Sequence, residues 1–345
     1  MIIVNARFLT QKITGVQRFA VEISKRLHKL SDQVFFVSPY NILDKELASE
    51  LGVIVIGYNR GTFWEQIDLR GYLISKGKPL LINFCNTGML FYDRQIVTIH
   101  DMSYKVNPDW FSRKFYLWYN FLIPHLAKHS FKILTVSNSS KNDIVKYLNV
   151  KKDKIRVIYN SSYLNTNNNF ETIYHEKYLL SVSSLNPRKN LNNLIKAFEK
   201  LDDKINLIIV GLKSDNFATN ELDIGKNVIV KGYVSDDELG ALMKNAEAFV
   251  YLSFYEGFGL PPIEAMSMGC PVIVSDINSH REVCGNSALY ADPYNVEDIK
   301  SKITDVLEND RLKYELIVAG KKNIERFDWS TSAYNVLKEI NAFIK

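Results

Sequence analysis

Glu256 and Glu264 stand eight positions apart, on either side of a glycine-rich turn that leads into a predicted helix. We expect Glu264 in the first helical turn, where a carboxylate can accept hydrogen bonds from a vicinal diol such as a ribose. Glu256 precedes the turn, on the far side of the phosphates, and is placed to reach a sugar hydroxyl. The spacing therefore suits a diphosphate-linked sugar. The simpler alternative is a capped helix whose Glu264 only complements the helix dipole.

The turn between these carboxylates can bind an anion through its backbone. Pro261 has the φ that the first helical position requires, so we expect the helix to begin there. The N–H groups just before it then lie at the positive end of the helix dipole, where phosphates bind well. The residues that form this turn are Gly257, Phe258, Gly259 and Leu260.

A second anion site is predicted at Arg188 and Lys189, on a loop between a buried strand that ends at Val182 and an amphipathic helix that begins at Leu191. Such a loop lies at the carboxyl edge of the sheet, where open α/β folds bind their ligands. An Arg-Lys pair alone is more often a solvated surface. Together with the turn at 257–260, it gives two converging ways to neutralise a diphosphate.

In this order, and over nearly the whole chain, these segments resemble the retaining glycosyltransferases of family 4, which have the two-domain GT-B architecture. The family's Glu-x7-Glu element looks like Glu256 to Glu264, and its Arg-Lys phosphate loop looks like residues 188–189. The strand that ends in His100 is similar to the first-domain strand that carries the family's active-site histidine. Another recurring first-domain segment resembles residues 133–141.

Two departures from the family pattern stand out. Gly15-Val16 stands where many members have two glycines, which leaves open how closely that loop approaches the phosphates. Asn160-Ser161 stands where Asn-Gly is common, and this difference touches only hinge geometry. The resemblance implies that Gly15 brings backbone amides to the donor. A first helix merely capped by Thr14 is the simpler alternative.

The resemblance implies transfer of a sugar from a nucleotide diphosphate with retention of its configuration. Arg188 and Lys189 then stabilise the departing diphosphate, while His100 and Glu256 position the sugar. Departure and acceptor attack occur on the same face, and the released phosphate oxygen accepts the acceptor's proton. A double displacement with Glu256 as nucleophile is the disfavoured alternative. A histidine such as His100 is also often purely structural.

In the resembled family the base docks against backbone groups after a strand that corresponds to Val228–Lys231. This implies base contacts at Gly232, Tyr233 and Val234. Because backbone groups read the base there, the side chains do not distinguish guanine, uracil and thymine. From general resemblance to mannosyltransferases we expect GDP-mannose as the donor, in the assembly of a bacterial surface polysaccharide such as the O-antigen of lipopolysaccharide.

Neither a metal nor a cofactor is expected. No two aspartates lie two positions apart, so the DxD cue for a metal-bound diphosphate is missing, and Arg188 and Lys189 are the natural substitutes. The first strand is followed by no GxGxxG, which disfavours an NAD-binding protein. Cys85, Cys270 and Cys284 have neither disulfide-framework nor zinc-site spacing, so we expect core thiols.

Composition is that of a soluble globular protein, with 46% hydrophobic and 23% charged residues among 345. No uninterrupted apolar run reaches the length of about 18 residues that a membrane span needs. The chain opens on a strand at Ile2–Val4 rather than on a signal peptide, so we expect a cytoplasmic protein.

Charge is distributed unevenly. Residues 1–165 hold 23 basic and 12 acidic residues, a formal charge of +11, whereas residues 166–345 hold 20 and 26, a charge of −6. No nucleic-acid-binding motif is present, so an anionic membrane or a lipid pyrophosphate acceptor fits better than nucleic acid. A basic surface without a partner is the alternative.

An aromatic segment in the first half fits either a membrane-facing amphipathic helix or a buried core helix. Its members are Trp110, Phe111, Phe115, Tyr116, Trp118, Tyr119 and Phe121.

Short apolar runs alternate with helical patterns along the chain, which is typical of βαβ units and a parallel sheet. The fold class is therefore α/β, with two Rossmann-like domains that face a central cleft in the GT-B resemblance. We predict an acceptor domain at residues 1–160, an Asn-rich linker at 161–176 and a donor domain at 177–328. The amphipathic helix at 329–345 is expected to cross back to the first domain, on the resemblance alone.

Two other function classes fit the phosphate site: a sugar-nucleotide epimerase of the same architecture, and a catalytically silent sugar-nucleotide sensor. The presence of both glutamates with His100 favours transfer over a sensor. Incubation with candidate donors, with and without a lipid-linked acceptor, separates a transferase from an epimerase. The expected partners are a nucleotide-diphosphate sugar and a glycan or lipid-linked acceptor.

Overall fold

The chain forms two compact α/β units. The computed structural model describes residues 1–164, 174, 176–201, 205–211 and 225–344. The first unit comprises residues 1–102, 117–160 and 328–345, and the second comprises residues 103–116 and 161–327.

The unit boundaries differ from the sequence prediction chiefly in the grouping of residues 103–116, and the described part of the predicted linker groups with the second unit. An uninterrupted first domain is predicted over residues 1–160, whereas residues 103–116 group with the second unit. Trp110 accounts for this, because its buried ring lines a cavity together with Leu185 and Phe254. The Asn-rich part of the predicted linker, at residues 165–173, lies outside the described residues.

A parallel sheet of seven strands forms the centre of the first unit, in the order β3-β2-β1-β4-β5-β6-β7. Its inner strands are almost continuous buried apolar runs, as expected of a parallel sheet covered on both faces. The strands are β1 (Ile2–Asn5), β2 (Val34–Ser38), β3 (Ile54–Val55), β4 (Leu80–Asn83), β5 (Gln95–Thr98), β6 (Lys132–Thr135) and β7 (Ile155–Val157).

The second unit contains, within its described part, a six-stranded parallel sheet in the order β10-β9-β8-β11-β12-β13. Each sheet reverses its strand order once, between β1 and β4 and between β8 and β11. Open α/β folds bind ligands at such a reversal, outside the carboxyl ends of the strands. The strands are β8 (Tyr178–Val182), β9 (Asn206–Val210), β10 (Val228–Lys231), β11 (Ala248–Tyr251), β12 (Val272–Ser275) and β13 (Leu289–Ala291).

Helices connect the strands in both units. Those of the first half are α1 (Gly15–Leu30), α2 (Lys45–Glu50), α3 (Gly61–Phe63), α4 (Leu69–Ser75), α5 (Ser103–Val106), α6 (Arg113–His129) and α7 (Asn138–Leu148). Those of the second half are α8 (Leu191–Phe198), α9 (Asp236–Asn245), α10 (Leu260–Ser267), α11 (Asn278–Cys284), α12 (Val296–Glu308), α13 (Asp310–Ile324) and α14 (Trp329–Ile344). None of the helices described is both long and apolar enough to cross a membrane.

The C-terminal helix α14 belongs to the first unit and packs on α1. Its Ala333, Val336 and Ile340 are fully buried. The ring of Trp329 lies 6.2 Å from that of Phe19 in α1, edge to face. The apolar stripe of this amphipathic helix therefore contributes to the core around α1.

Gly259 shapes the turn between β11 and α10. Its φ of +92° is in the left-handed region, which a residue with a Cβ adopts at a cost. A Cβ there would lie 3.0 Å from Cδ2 and 3.2 Å from Nε2 of His280. Backbone strain and a side-chain contact therefore both select glycine at this position.

We expect Gly259→Ala to destabilise the second unit by about 1–2 kcal/mol from backbone strain alone, with a further loss from contact with His280. Denaturant titration measures the change in unfolding free energy. Gly71→Ala is the matched control, because Gly71 lies inside helix α4 with no heavy atom within 4 Å of the added Cβ. The control should be neutral or stabilising. Equal stability of both variants would show that the turn accepts a side chain.

Candidate active site

The crevice between β8 and β11 brings the two predicted anion-binding segments together. Arg188 and Lys189 follow β8, and Glu256 follows β11. The backbone N–H of Phe254 donates to the carbonyl oxygen of Arg188 at 2.9 Å, so the two loops are joined directly. Both predicted segments thus lie at the strand-order reversal of the second sheet.

A short 3₁₀ helix, Pro187–Lys189, holds the two cations. The Oδ1 of Asn186 accepts from the backbone N–H of Arg188 at 2.8 Å and caps this helix. Asn190 ends it with a left-handed φ of 56°, which asparagine tolerates better than most residues. The Nδ2 of Asn190 donates to the carbonyl of Pro293 at 2.7 Å. Two asparagines therefore fix the ends of the loop that carries the cations.

Glu256 contacts both cations. Its Oε1 accepts from Lys189 Nζ at 2.6 Å, and its Oε2 lies 3.3 Å from Arg188 Nη1. The hydroxyl of Tyr251 lies 3.0 Å from Glu256 Oε1 and 2.5 Å from Lys189 Nζ. Glu256 is only 8% exposed. We call Arg188, Lys189, Tyr251 and Glu256 the ion cluster.

The direct contact of Glu256 with Arg188 and Lys189 is not predicted from the sequence, and the position of Glu256 relative to the phosphates stays a prediction. Burial alone raises the pKa of Glu256, because a buried carboxylate loses its hydration. The Arg188 and Lys189 charges outweigh that effect and hold the pKa well below its usual range. Burial and the nearby Glu256 charge raise the pKa of Tyr251 well above its ordinary value. The ion cluster therefore joins two cationic side chains to one carboxylate, a net charge of +1.

The glycine-rich turn and the start of α10 lie beside the ion cluster in sequence and are buried. Gly259 is the N-cap, and α10 begins at Leu260 rather than at Pro261. Glu264 is consequently the fifth residue of the helix and lies beyond the first turn, so its predicted place in that turn is wrong. The left-handed Gly259 permits this earlier start. Glu264 is itself buried.

His280 is a neighbour of Tyr251 that is not predicted from the sequence. It lies in α11, fully buried, with its ring 5.7 Å from the ring of Tyr251. Its Nδ1 donates to the carbonyl of Ser275 at 3.1 Å, since a carbonyl can only accept. Burial lowers the pKa of His280 to about 4, so the ring is neutral at pH 7. Its place shortly after the carboxyl end of β12 is the sequence signal that could have found it.

His100 lies in the first unit, in the loop after β5, because that strand ends at Thr98 rather than at His100 as predicted. Its Nε2 lies 2.8 Å from the carbonyl oxygen of Phe84, which requires a proton on Nε2 and leaves the Nδ1 lone pair as an acceptor. Phe19 packs edge to face on the ring at 5.1 Å. Burial lowers the pKa of His100. The hydrogen bond to the Phe84 carbonyl and the charge of Asp101 act to raise it but are outweighed. The structure therefore holds a neutral imidazole of defined tautomer.

Gly15 is the first residue of α1, and Thr14 caps that helix in a box with Gln17. The Thr14 N–H donates to Gln17 Oε1 at 3.2 Å. Open space surrounds the position of a Cβ on Gly15. The structure thus contains the capped helix that was the simpler alternative, and a donor-binding role for Gly15 stays a prediction.

The residues predicted to contact the base follow β10. Parallel strands end at one edge, so Gly232, Tyr233 and Val234 lie at the same edge of the sheet as the ion cluster. The ring of Tyr233 is exposed. Their role with the base also stays a prediction.

Comparison with known proteins decides the family. The model for Glycosyltransferase Family 4 matches residues 13–161, and that for glycosyl transferases group 1 matches residues 166–323. The O-antigen chain mannosyltransferase RfbU of Salmonella typhimurium strain LT2 is 37% identical over 240 residues, 68% of this chain and 67% of that protein. The chain belongs to glycosyltransferase family 4. The O-antigen chain mannosyltransferase B of Escherichia coli is 29% identical over 271 residues, 73% and 70% of the two chains.

Solved structures show the fold of this glycosyltransferase. The sucrose-phosphate synthase of Thermosynechococcus elongatus has a TM-score of 0.77 at 16% identity. The match covers 99% of this chain and 98% of the synthase chain. WaaG, a glycosyltransferase involved in lipopolysaccharide biosynthesis, has a TM-score of 0.73 at 14% identity, and the match covers 97% of this chain and 98% of the WaaG chain. The predicted family resemblance and the α/β fold class, with two GT-B domains, are confirmed.

We expect Glu256→Gln to destabilise the glycosyltransferase by about 3–5 kcal/mol at pH 7, because it leaves two buried cations without their carboxylate. The folded-state pKa of Glu256 is depressed, so its contribution is present above the ordinary carboxyl pKa of about 4.3 and is lost as pH falls further. The stability gap between wild type and variant should therefore narrow in acid. Denaturant titrations from pH 7 to pH 3 measure it.

Glu297→Gln is the matched control for that experiment, because Glu297 pairs with Lys200 on the exposed surface. Its stability should match the wild type at every pH. A Glu256→Gln protein as stable as this control would show that the ion cluster does not hold the two loops.

Proposed function

We propose that this glycosyltransferase moves a sugar, with GDP-mannose as the best candidate donor, to a glycan or lipid-linked acceptor with retention and without a metal. The observation that carries the proposal is the buried ion cluster at the strand-order reversal of the second sheet. The choice of mannose and of O-antigen assembly is supported by the relatives described above, which are O-antigen chain mannosyltransferases.

The ion cluster supports stabilisation of a departing diphosphate. Arg188 and Lys189 exceed Glu256 by one charge, so the cluster attracts an anion while the carboxylate keeps both cations in place. The turn before α10 adds the positive end of a helix dipole. As the bond from the anomeric carbon to the phosphate oxygen breaks, these fixed groups stabilise the charge that develops on that oxygen.

The remaining steps involve the sugar and the acceptor. The acceptor hydroxyl attacks the anomeric carbon on the face that the diphosphate leaves, and its proton passes to the released phosphate oxygen. In this proposal His100 accepts a hydrogen bond from a sugar hydroxyl through Nδ1, since Nε2 already donates to the Phe84 carbonyl. Glu256 lies close to both cations and orients them and the sugar rather than forming a covalent intermediate.

The transfer experiment combines GDP-mannose with a lipid-linked acceptor in excess EDTA, and nuclear magnetic resonance identifies the anomer of the product. We expect transfer with retention. Lys189→Ala should weaken nucleotide-diphosphate binding at least about tenfold, since it removes a charge-assisted contact. Lys200→Ala, which removes an exposed lysine of the same unit, is the matched control and should bind as the wild type does.

Each part of the proposal has its own contrary outcome. Transfer only from another nucleotide sugar would reject GDP-mannose but keep the reaction. Activity lost in EDTA and restored by Mn²⁺ would reject metal independence. Conversion of the donor without an acceptor would identify the epimerase alternative, and binding without turnover would identify a sensor.

We also propose a cytoplasmic location and a peripheral contact of the first unit with the anionic inner face of the membrane. Phe91 is 72% exposed and Phe121 is 54% exposed, and both rings pack on His125, at 4.8 and 6.4 Å. Arg70 donates to the carbonyl of Leu90 beside them. Exposed aromatic rings next to a cation fit an anionic lipid surface. Buried Leu122, Ile123 and Leu126 line the other side of α6.

We expect Phe91→Ser combined with Phe121→Ser to reduce flotation with phosphatidylglycerol vesicles severalfold, because the apolar part of the contact is lost. Tyr314→Ser, at an exposed aromatic residue of the second unit, is the matched control. Equal flotation of all three proteins, or equal flotation with neutral vesicles, would reject this surface as the membrane contact.

A further inference from the structure

A cavity of about 260 Å³ lies in the second unit, beside Asn186 and Pro187 at the start of the 3₁₀ helix. None of the four ion-cluster residues is among the described residues that line it. Pockets for drug-sized ligands hold roughly 300–1,000 Å³. This cavity is smaller, so its size suits a single sugar ring rather than an intact nucleotide sugar.

Two aromatic side chains form walls of the cavity. Trp110 is buried there, and the ring of Phe254 is held by stacking on Tyr294, with ring centroids 4.7 Å apart. The electron-rich face of an aromatic ring attracts the polarised C–H groups on the apolar face of a pyranose. The walls therefore favour a flat ligand with an apolar face.

Amide side chains supply the polar contacts. Asn186 is 4% exposed, and its Nδ2 has no hydrogen-bond partner in the part of the chain that the structure describes. Asn192 and Asn193 also line the cavity. Primary amides both donate and accept, which matches the hydroxyl groups of a sugar. Lys196 is the one charged residue among the lining residues described, and it is exposed, so the buried part of that lining is uncharged and suits a neutral ligand.

We propose that this cavity is a binding subsite for a neutral pyranose of the glycan acceptor. Asn186 links the subsite to the ion cluster, because its Oδ1 caps Arg188 while its Nδ2 has no partner among the described residues. A sugar hydroxyl that accepts from Nδ2 therefore lies next to the loop that holds the diphosphate. The identity of the ligand as the acceptor rests on the proposed function, whereas the binding of a neutral sugar does not.

Saturation-transfer nuclear magnetic resonance with methyl α-D-mannopyranoside, without donor, tests the subsite. Trp110→Ala should weaken binding about tenfold, whereas Trp110→Phe should keep most of it. Asn186→Asp keeps the oxygen that caps Arg188 and removes the donor, so it should weaken binding about threefold. Asn245→Asp is the matched amide control, in α9, and should bind as the wild type does. GDP affinity should change less than about twofold in both Trp110 variants, which shows that they fold.

Contrary outcomes are equally specific. Absent binding to the wild type, or equal binding to wild type and Trp110→Ala, would overturn the subsite. Tighter binding of methyl glucuronide would overturn the neutral ligand, and loss of guanosine binding in Trp110→Ala would assign the cavity to a nucleobase.

In transfer assays Trp110→Ala should raise the acceptor KM with little change in kcat. An unchanged KM would overturn the acceptor role, while failure of transfer from every donor leaves the sugar-binding result intact.

Discussion

The organisation of the second unit depends on the burial of one carboxylate. Glu256 is too buried to be hydrated, and an isolated charge in that position would be strongly destabilising. Arg188 and Lys189 supply the compensating charges, which requires the loops after β8 and β11 to lie side by side. The parallel pairing of β8 with β11 provides that adjacency. The same electrostatic requirement thus joins the sheet topology to the chemistry of the site.

Much of the fold could be predicted from the sequence, because parallel strands buried on both faces appear as short apolar runs between helical patterns. β8 to β12 are of this kind. β13 is not predicted, since Leu289–Ala291 is only three residues long. The end of β5 is predicted too late because Ile99 extends the apolar run; its N–H still donates to the Leu134 carbonyl of β6 at 2.9 Å, but the strand itself ends at Thr98. Local patterns therefore locate strands better than they locate strand ends.

The candidate site was predictable in its members but not in its contacts. The types and spacing of Arg188, Lys189 and Glu256 indicate anion and sugar binding, but they do not predict that the carboxylate contacts both cations. Tyr251 and His280 are not predicted for the same reason. Tyr251 contacts Glu256 and His280 packs beside Gly259, and both contacts form only in the folded chain. Long-range contacts between loops depend on the tertiary arrangement, which spacing along the chain does not record.

A carboxylate between the two cations proposed to bind the phosphates has a physical advantage in the proposed reaction. Two unpaired cations would attract the donor and the free nucleotide product alike, and such uniform binding does not lower the barrier to the chemical step. Glu256 removes one charge from that attraction while holding Arg188 and Lys189 in a fixed geometry. Fixed dipoles and charges need no reorganisation when negative charge develops on the leaving oxygen. In the proposed reaction the ion cluster therefore gives up part of its affinity for the product and keeps the preorganisation that stabilises the transition state.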